Sequence, residues 1–282
     1  MKRLNNKLLK PGNFKYIYLL VACIIFLFPL FIMIMGSFKT PTDLSRNPGG
    51  FPTKITLENY YILFTSNIVL IRGFLNSVYV TLMYIILSTL LTSMGAYAFA
   101  KFQFKGKDFL FMVLLATMMI PKQVLIPPQY LMFAKTGLLD TYTVQIVGNA
   151  AKAFGIFMLR QYFEAVPDSI LESAKIEGAG QWTIFSRLVL PMSTPALGAF
   201  AILQFNNKWN DFLFPALYIR NLTKAPFMVI LPQLVTEEGN ELMVPWTLIL
   251  AGCTFVSIPV IIAFLFLQDK IMTSMTAGAV KE

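Results

Sequence analysis

The sequence predicts an all-α polytopic membrane protein with six transmembrane helices. Two observations carry this. Of the 282 residues, 56% are hydrophobic and only 13% charged, and the mean hydropathy is +0.65, far too apolar for a water-soluble domain. Apolar runs of about 20 residues, the length that crosses roughly 30 Å of hydrocarbon, also recur along the chain.

The first run, Tyr16 to Met35, follows Lys2, Arg3, Lys7, Lys10 and Lys15. It is longer than a secretory signal core and continues into Gly36-Ser37-Phe38-Lys39 without a small-x-small cleavage site, so it reads as a retained span. Five more are expected at about Leu75 to Phe99, Phe109 to Met132, Tyr142 to Leu159, Thr194 to Tyr218 and Trp246 to Leu267. Pro121, Pro127 and Pro128 are expected to break or bend the third, and Pro259 the sixth. With both termini cytoplasmic, more than half of the 23 basic residues fall inside: the five at the start, Lys101, Lys105, Lys107, Arg160, Lys175, Arg187, Lys270 and Lys281. That asymmetry sets the expected orientation. No repeat or soluble-domain boundary interrupts the chain, so residues 1–282 are read as one transmembrane domain.

Several function classes fall away by inventory. The net charge of +9 sits in short segments between apolar runs rather than in a basic stripe with aromatics, so nucleic acid is not an expected partner. There is no histidine, and Cys23 and Cys253 both lie inside apolar runs, which argues against zinc sites, His-based triads and a disulfide. No G-x-x-x-x-G-K-[ST] cradle for ATP phosphates occurs.

One cytoplasmic loop, residues 160–191, is much longer than its neighbour at 101–108. After Pro167 the run Ser169-Ile-Leu-Glu172 has the form of a capping box, predicting a helix start, and Gly178 predicts its end. A second short helix is expected from about Trp182 to Leu190, ended by Pro191. Isolated helices below about 12 residues are marginal in water, so something must hold the first one. Ala174 and Gly178, four apart, leave a low strip where another protein could approach; an ordinary loop resting on the chain's own helix ends is the alternative.

The run from Glu172 to Pro191, ESAKIEGAGQWTIFSRLVLP, resembles the signature loop of ABC importer permeases, the EAA loop, with Glu172, Ala174, Gly178, Leu188, Leu190 and Pro191 at the family's spacing. Ser173 replaces one alanine and Leu188 the isoleucine. The preceding FMLRQYFEAVPDSI, the segment GSFKTP after the first span and the tail TAGAVKE are similar to the carbohydrate-uptake branch, the maltose-type permeases.

The resemblance implies a type I importer permease in a bacterial cytoplasmic membrane. It implies a homologous second permease subunit, two ATPase subunits that hold ATP and Mg, and an extracytoplasmic solute-binding protein. The transported solute would be a sugar or oligosaccharide. The loop becomes the coupling element, with Ser169, Glu172, Ser173, Ala174, Glu177, Gly178, Ala179, Leu190 and Pro191 meeting the ATPase.

Ionisable groups inside spans cost about 2.5–3.5 kcal/mol each on insertion scales, so they usually face a cavity or a partner. Lys122, Lys152, Lys208 and Asp211 qualify. Asn207, Asn210 and Asp211 share a helical face, and Trp209 offers an apolar face to a pyranose ring. Gln145, Asn149 and Lys152 form a second polar face. The same groups suit bonds to other helices or to a second subunit. An ion- or proton-coupled carrier, or an importer permease for another solute, is the competing function.

Overall fold

The computed structural model of the chain describes residues 14–65, 68–235 and 246–279. Among these residues the backbone is helical with no strand. The basic residues before position 14, residues 236–245 and the end of the tail TAGAVKE lie outside them.

Among the described residues, three helices are long and apolar enough to cross a membrane: α1 (Phe14–Ser37), α4 (Ile68–Lys101) and α14 (Trp246–Ala279). Two bent pairs raise the number to five. The expected third span is the first pair: Lys107–Thr117 (α5) and Lys122–Lys135 meet at 95°. Pro121 caps a 3-10 turn there, and Pro127 and Pro128 open the following helix α6 (Ile126–Lys135), where a missing N–H costs nothing. The second pair, Gln181–Met192 (α10) and Thr194–Trp209 (α11), is bent by 82°. The fourth span, expected from Tyr142 to Leu159, is instead two short helices, α7 (Tyr142–Val147) and α8 (Ala153–Glu164), with irregular backbone between. The fifth likewise ends at Trp209, and α12 (Leu213–Tyr218) follows separately. The helical assignment of α14 runs unbroken through Pro259.

The chain read as one domain divides into two compact units. The described residues up to Leu70, with Leu231–Ile258, form one. In it, α1 exposes apolar side chains around its whole circumference, as a helix facing lipid does. After α1 the chain is tied down by side-chain hydrogen bonds: the Asn59 amide donates to the carbonyls of Ser37 and Lys39 at 2.8 Å each, and the Tyr60 hydroxyl donates to Ser37 Oγ at 2.8 Å. Thr40 caps the short helix α2 (Pro41–Arg46), which precedes α3 (Glu58–Thr65). The GSFKTP segment therefore serves to pin this turn.

The residues from Ile71 to Ile230, with those from Pro259 onward, form the second unit. The buried stripe of α4 repeats every fourth residue, Val80, Tyr84, Ser88, Thr92 and Ala96. Its small members let neighbouring helices approach closely. Gly155 of α8 sits at a close helix crossing, where an added Cβ would collide with the buried Phe200 ring and lie 2.6 Å from Thr92 Cγ2. Gly155→Ala is therefore expected to cost about 1–3 kcal/mol by overpacking, seen as a lowered unfolding midpoint of the purified protein in detergent.

The same unit holds a core of Phe163, Leu171, Ile184, Phe185, Val189 and Phe200, with Ala174, Ala179 and Leu190 packed against it. Leu171 belongs to α9 (Asp168–Ile176) and Ile184 to α10, so the 160–191 loop is built onto its own chain. That burial, not helical propensity, stabilises a nine-residue helix.

Candidate functional site

Two parts of the second unit hold the residues singled out by sequence. In the 160–191 loop, α9 does not begin with the expected capping box. Pro167 is the N-cap, no side chain caps the helix, and Ser169 lies within the first turn. The first turn is held instead by Lys101, at the end of α4, which donates to the Val166 carbonyl and to Asp168 Oδ1, both at 2.7 Å. That hydrogen bond and the Lys101 charge hold the Asp168 carboxyl below the usual carboxylate range. The stabilisation is complete above that range and is lost as the pH falls through the lowered pKa; it is small because Asp168 is exposed. Asp168→Asn at neutral pH, and the native chain once the pH has fallen below the lowered Asp168 pKa, are expected to lose hydrogen-exchange protection across 168–176 without losing the core.

The end of α9 agrees with expectation. Gly178 has φ +84°, the Ala179 N–H reaches the Ala174 carbonyl at 2.9 Å, and the Gly178 N–H reaches that of Lys175 at 3.0 Å. This is a Schellman closure, which needs a left-handed residue at Gly178. An added Cβ there would meet nothing within 4 Å, so the glycine is required by its conformation rather than by crowding.

The nine loop residues split by face. Ser169, Glu172, Ser173, Glu177 and Gly178 are exposed. Ala174, Ala179 and Leu190 are partly buried against the core, so of the small pair Ala174 and Gly178 the glycine is the more exposed. Pro191 does not end the second helix: α10 runs to Met192, with a π turn at Phe185–Val189. The wider turn relieves the clash between the proline ring and the carbonyl four residues back. Two apolar side chains complete the outer face, Ile176, 87% exposed, and Trp182, 60% exposed. Sequence reasoning passed over Ile176, although helical geometry sets it roughly 140° from the buried Leu171. An exposed isoleucine at the tip of a helix whose other face is anchored to a core is a surface suited to a partner.

The second part is a cavity of ≈ 230 Å³. All four ionisable residues expected inside spans, Lys122, Lys152, Lys208 and Asp211, line it, with Asn149 and Asn207. The break between α7 and α8 forms one wall. Asn149 has φ +60°, its carbonyl accepts from the Tyr84 hydroxyl at 3.1 Å, and its side chain accepts from Gln129 Nε2 at 3.3 Å. Irregular backbone at membrane depth is stable where it borders such a cavity and its carbonyls find donors. Lys208 Nζ pairs with Asp211 Oδ2 at 3.2 Å and also lies over the Tyr84 and Phe214 rings, 5.3 and 5.4 Å from their centroids.

Three of the expected pathway residues lie elsewhere. Gln145 is fully buried, its amide donating to the Lys224 carbonyl at 3.2 Å. Trp209 is buried, stacked on Phe205 and edge-on to Phe74, so its ring is not a platform for a sugar. Asn210 lies beyond the end of α11, bonded back to Asn206. Tyr84, Gln123 and Gln129 line the cavity and were not anticipated. A tyrosine in a long apolar helix looks like packing until the polar groups around it are seen.

Residues 90–276 match the family described as binding-protein-dependent transport system inner membrane component. An arabinooligosaccharides transport system permease protein of Halalkalibacterium halodurans is 34% identical over 257 residues, covering 90% of this chain and 91% of the relative. Its counterpart in Bacillus subtilis is 31% identical over 268 residues, covering 94% of each. A chain from the crystal structure of a bacterial ABC transporter involved in the import of the acidic polysaccharide alginate superposes with a TM-score of 0.83 over 92% of this chain and 95% of that one. At 24% identity that likeness concerns the fold, the all-α permease fold of ABC importers. Backbone, loop signature and relatives agree, and the chain belongs to the family of inner-membrane components of binding-protein-dependent transport systems.

Proposed function

We propose that the chain is one permease subunit of an ATP-driven importer that moves a sugar or oligosaccharide across a bacterial cytoplasmic membrane, coupled to a separate ATPase through the 160–191 loop. The family carries the importer reading, and the names of relatives over 30% identical along nine-tenths of the chain support the saccharide. The observation that carries the coupling role is the build of α9: anchored inward by Leu171 and Ala174, exposed outward at Ser169, Glu172, Ser173, Ile176 and Glu177.

In this reading both termini and the loop are cytoplasmic. A second, homologous permease completes the pathway, two ATPase subunits hold ATP and Mg, and a solute-binding protein delivers the sugar from outside. Switching a cavity from about 1:99 to 99:1 outward-facing takes roughly 5.5 kcal/mol of differential interaction. Because α9 and α10 share a core with α4, α8 and α11, movement of the docked loop is transmitted to helices bordering the cavity.

Reconstitution of the chain with the products of neighbouring genes tests this. ATP hydrolysis in proteoliposomes should rise on adding binding protein with a cognate saccharide. Saccharide uptake by vesicles that lack any nucleotide-hydrolysing subunit would instead establish an ion-coupled carrier.

A further inference from the structure

We infer that the solute carries a negative charge, as a uronate or another carboxylated saccharide does, and that Lys122 and Lys152 are the residues that meet its carboxylate in the cavity. The inference rests on the importer reading above and specifies its substrate class.

The charge inventory of the cavity is unbalanced. Three lysines and one carboxylate line it, with Tyr84 the other titratable group. Asp211 is already engaged: it pairs with the buried Lys208 and accepts the Phe214 N–H at 3.3 Å. Lys152 feels the like charges of Lys122 and Lys208 and the opposite charge of Asp211. Neither Lys122 nor Lys152 forms an ion pair among the described residues. Lys152 rests only over the Tyr84 ring, 5.7 Å from its centroid. The one carboxylate of the cavity is thus taken up by Lys208, and the half-buried Lys152 and the exposed Lys122 leave an excess of positive charge along the lining that suits an anionic ligand.

The aromatic surfaces point the same way. A neutral pyranose is usually held by stacking on an exposed ring. Here the Tyr84 ring is faced by the ammonium groups of Lys152 and Lys208, the Phe214 ring by Lys208, and Trp209 is buried elsewhere. What the cavity offers a ligand is two ammonium groups flanked by the polar side chains of Gln123 and Asn207. Ammonium groups bind a carboxylate through charge-assisted hydrogen bonds, and the amides suit hydroxyls. At ≈ 230 Å³ the cavity lies just under the roughly 300 Å³ at which drug-sized pockets begin, a space for one sugar residue rather than a whole chain.

The test compares trigalacturonate with its neutral methyl ester, the same backbone without the charge, on the importer assembled in proteoliposomes with its ATPase and binding protein. The free acid should be taken up and stimulate ATP hydrolysis, the ester at least tenfold less. Lys122→Gln and Lys152→Gln should each raise the half-saturating concentration of trigalacturonate about tenfold, the loss of one charge-assisted contact, while Lys152→Arg keeps it near the native value. Titration of trigalacturonate into the purified complex lacking binding protein supplies a second readout, in which the same two variants should bind about tenfold more weakly.

Stimulation by the ester or by neutral saccharides alone overturns the inference and leaves the importer intact. So does equal response of native and Lys→Gln proteins to the free acid, as when carboxylates of a second permease neutralise the lysines. No stimulation by any saccharide, charged or neutral, removes the importer reading and this inference with it.

Discussion

Gly178→Trp is expected to abolish ATP hydrolysis stimulated by binding protein and saccharide while leaving the chain folded in the membrane. Gly178 sits at φ +84° in open space beside the exposed Ile176 and Glu177. Within the chain the new side chain meets no obstacle, so the cost to folding is the left-handed backbone alone, about 1–2 kcal/mol. Docking is another matter. An indole beside Ile176 holds any partner surface away from a side chain whose burial contributes about 1.5–3 kcal/mol. Gly178→Asn separates the effects, since asparagine tolerates the left-handed region and adds little bulk. It should retain most stimulated hydrolysis, whereas tryptophan loses it. Equal loss in both variants would assign the glycine a purely conformational role.

The second large effect is expected at Lys208. Its side chain is 6% exposed and paired to an Asp211 that is 24% exposed at the cavity wall. Lys208→Met strands that carboxylate in a partly enclosed site, and removing one partner of a buried pair costs about 3–5 kcal/mol. The lower end applies here because Asp211 keeps some contact with the cavity. The double variant Lys208→Met with Asp211→Asn removes both charges and should recover most of the loss, since replacing a whole buried pair is often close to neutral. Unfolding of the four proteins in detergent, read as a double-mutant cycle, should give a coupling of about 2–3 kcal/mol. Additive losses would mean that the pair does not function as a pair.

Much of the fold could be read from composition and period, and the exceptions have physical causes. The long helices α1, α4 and α14 announce themselves as apolar runs, because a helix facing lipid needs little more than length. The breaks were less visible. Pro121 marks one bend, but the break between α7 and α8 turns on Asn149 in a left-handed conformation whose carbonyl is satisfied by Tyr84, 65 residues away. No local pattern records such a partner. The start of α9 fails as a capping box for the same reason: its first turn is held by Lys101, 67 residues earlier. Its end is legible because the left-handed requirement at Gly178 is local.

The candidate sites divide likewise. Lys122, Lys152, Lys208 and Asp211 stand out in sequence because charge in an apolar run is costly, and the fold gathers all four around one cavity. Trp209 drew notice by residue type and Gln145 by a helical spacing to Asn149 and Lys152 that the break after Val147 removes, and both are buried in packing and hydrogen bonding away from that space. In the loop, the family signature names Ala174, but its small side chain is partly buried on the inner face. The outer face depends on Ile176, a residue the signature does not contain.

The central claim is that the outer face of α9 is the joint to a nucleotide-hydrolysing partner. Cysteine placed at the exposed Ser173, after replacement of Cys23 and Cys253, permits cross-linking in membranes of cells making the whole importer. The account predicts a covalent adduct with the ATPase subunit from Ser173→Cys, and none from Leu171→Cys, whose side chain is buried in the core. An adduct from the inward position alone, or capture of no nucleotide-hydrolysing protein from either, would contradict it.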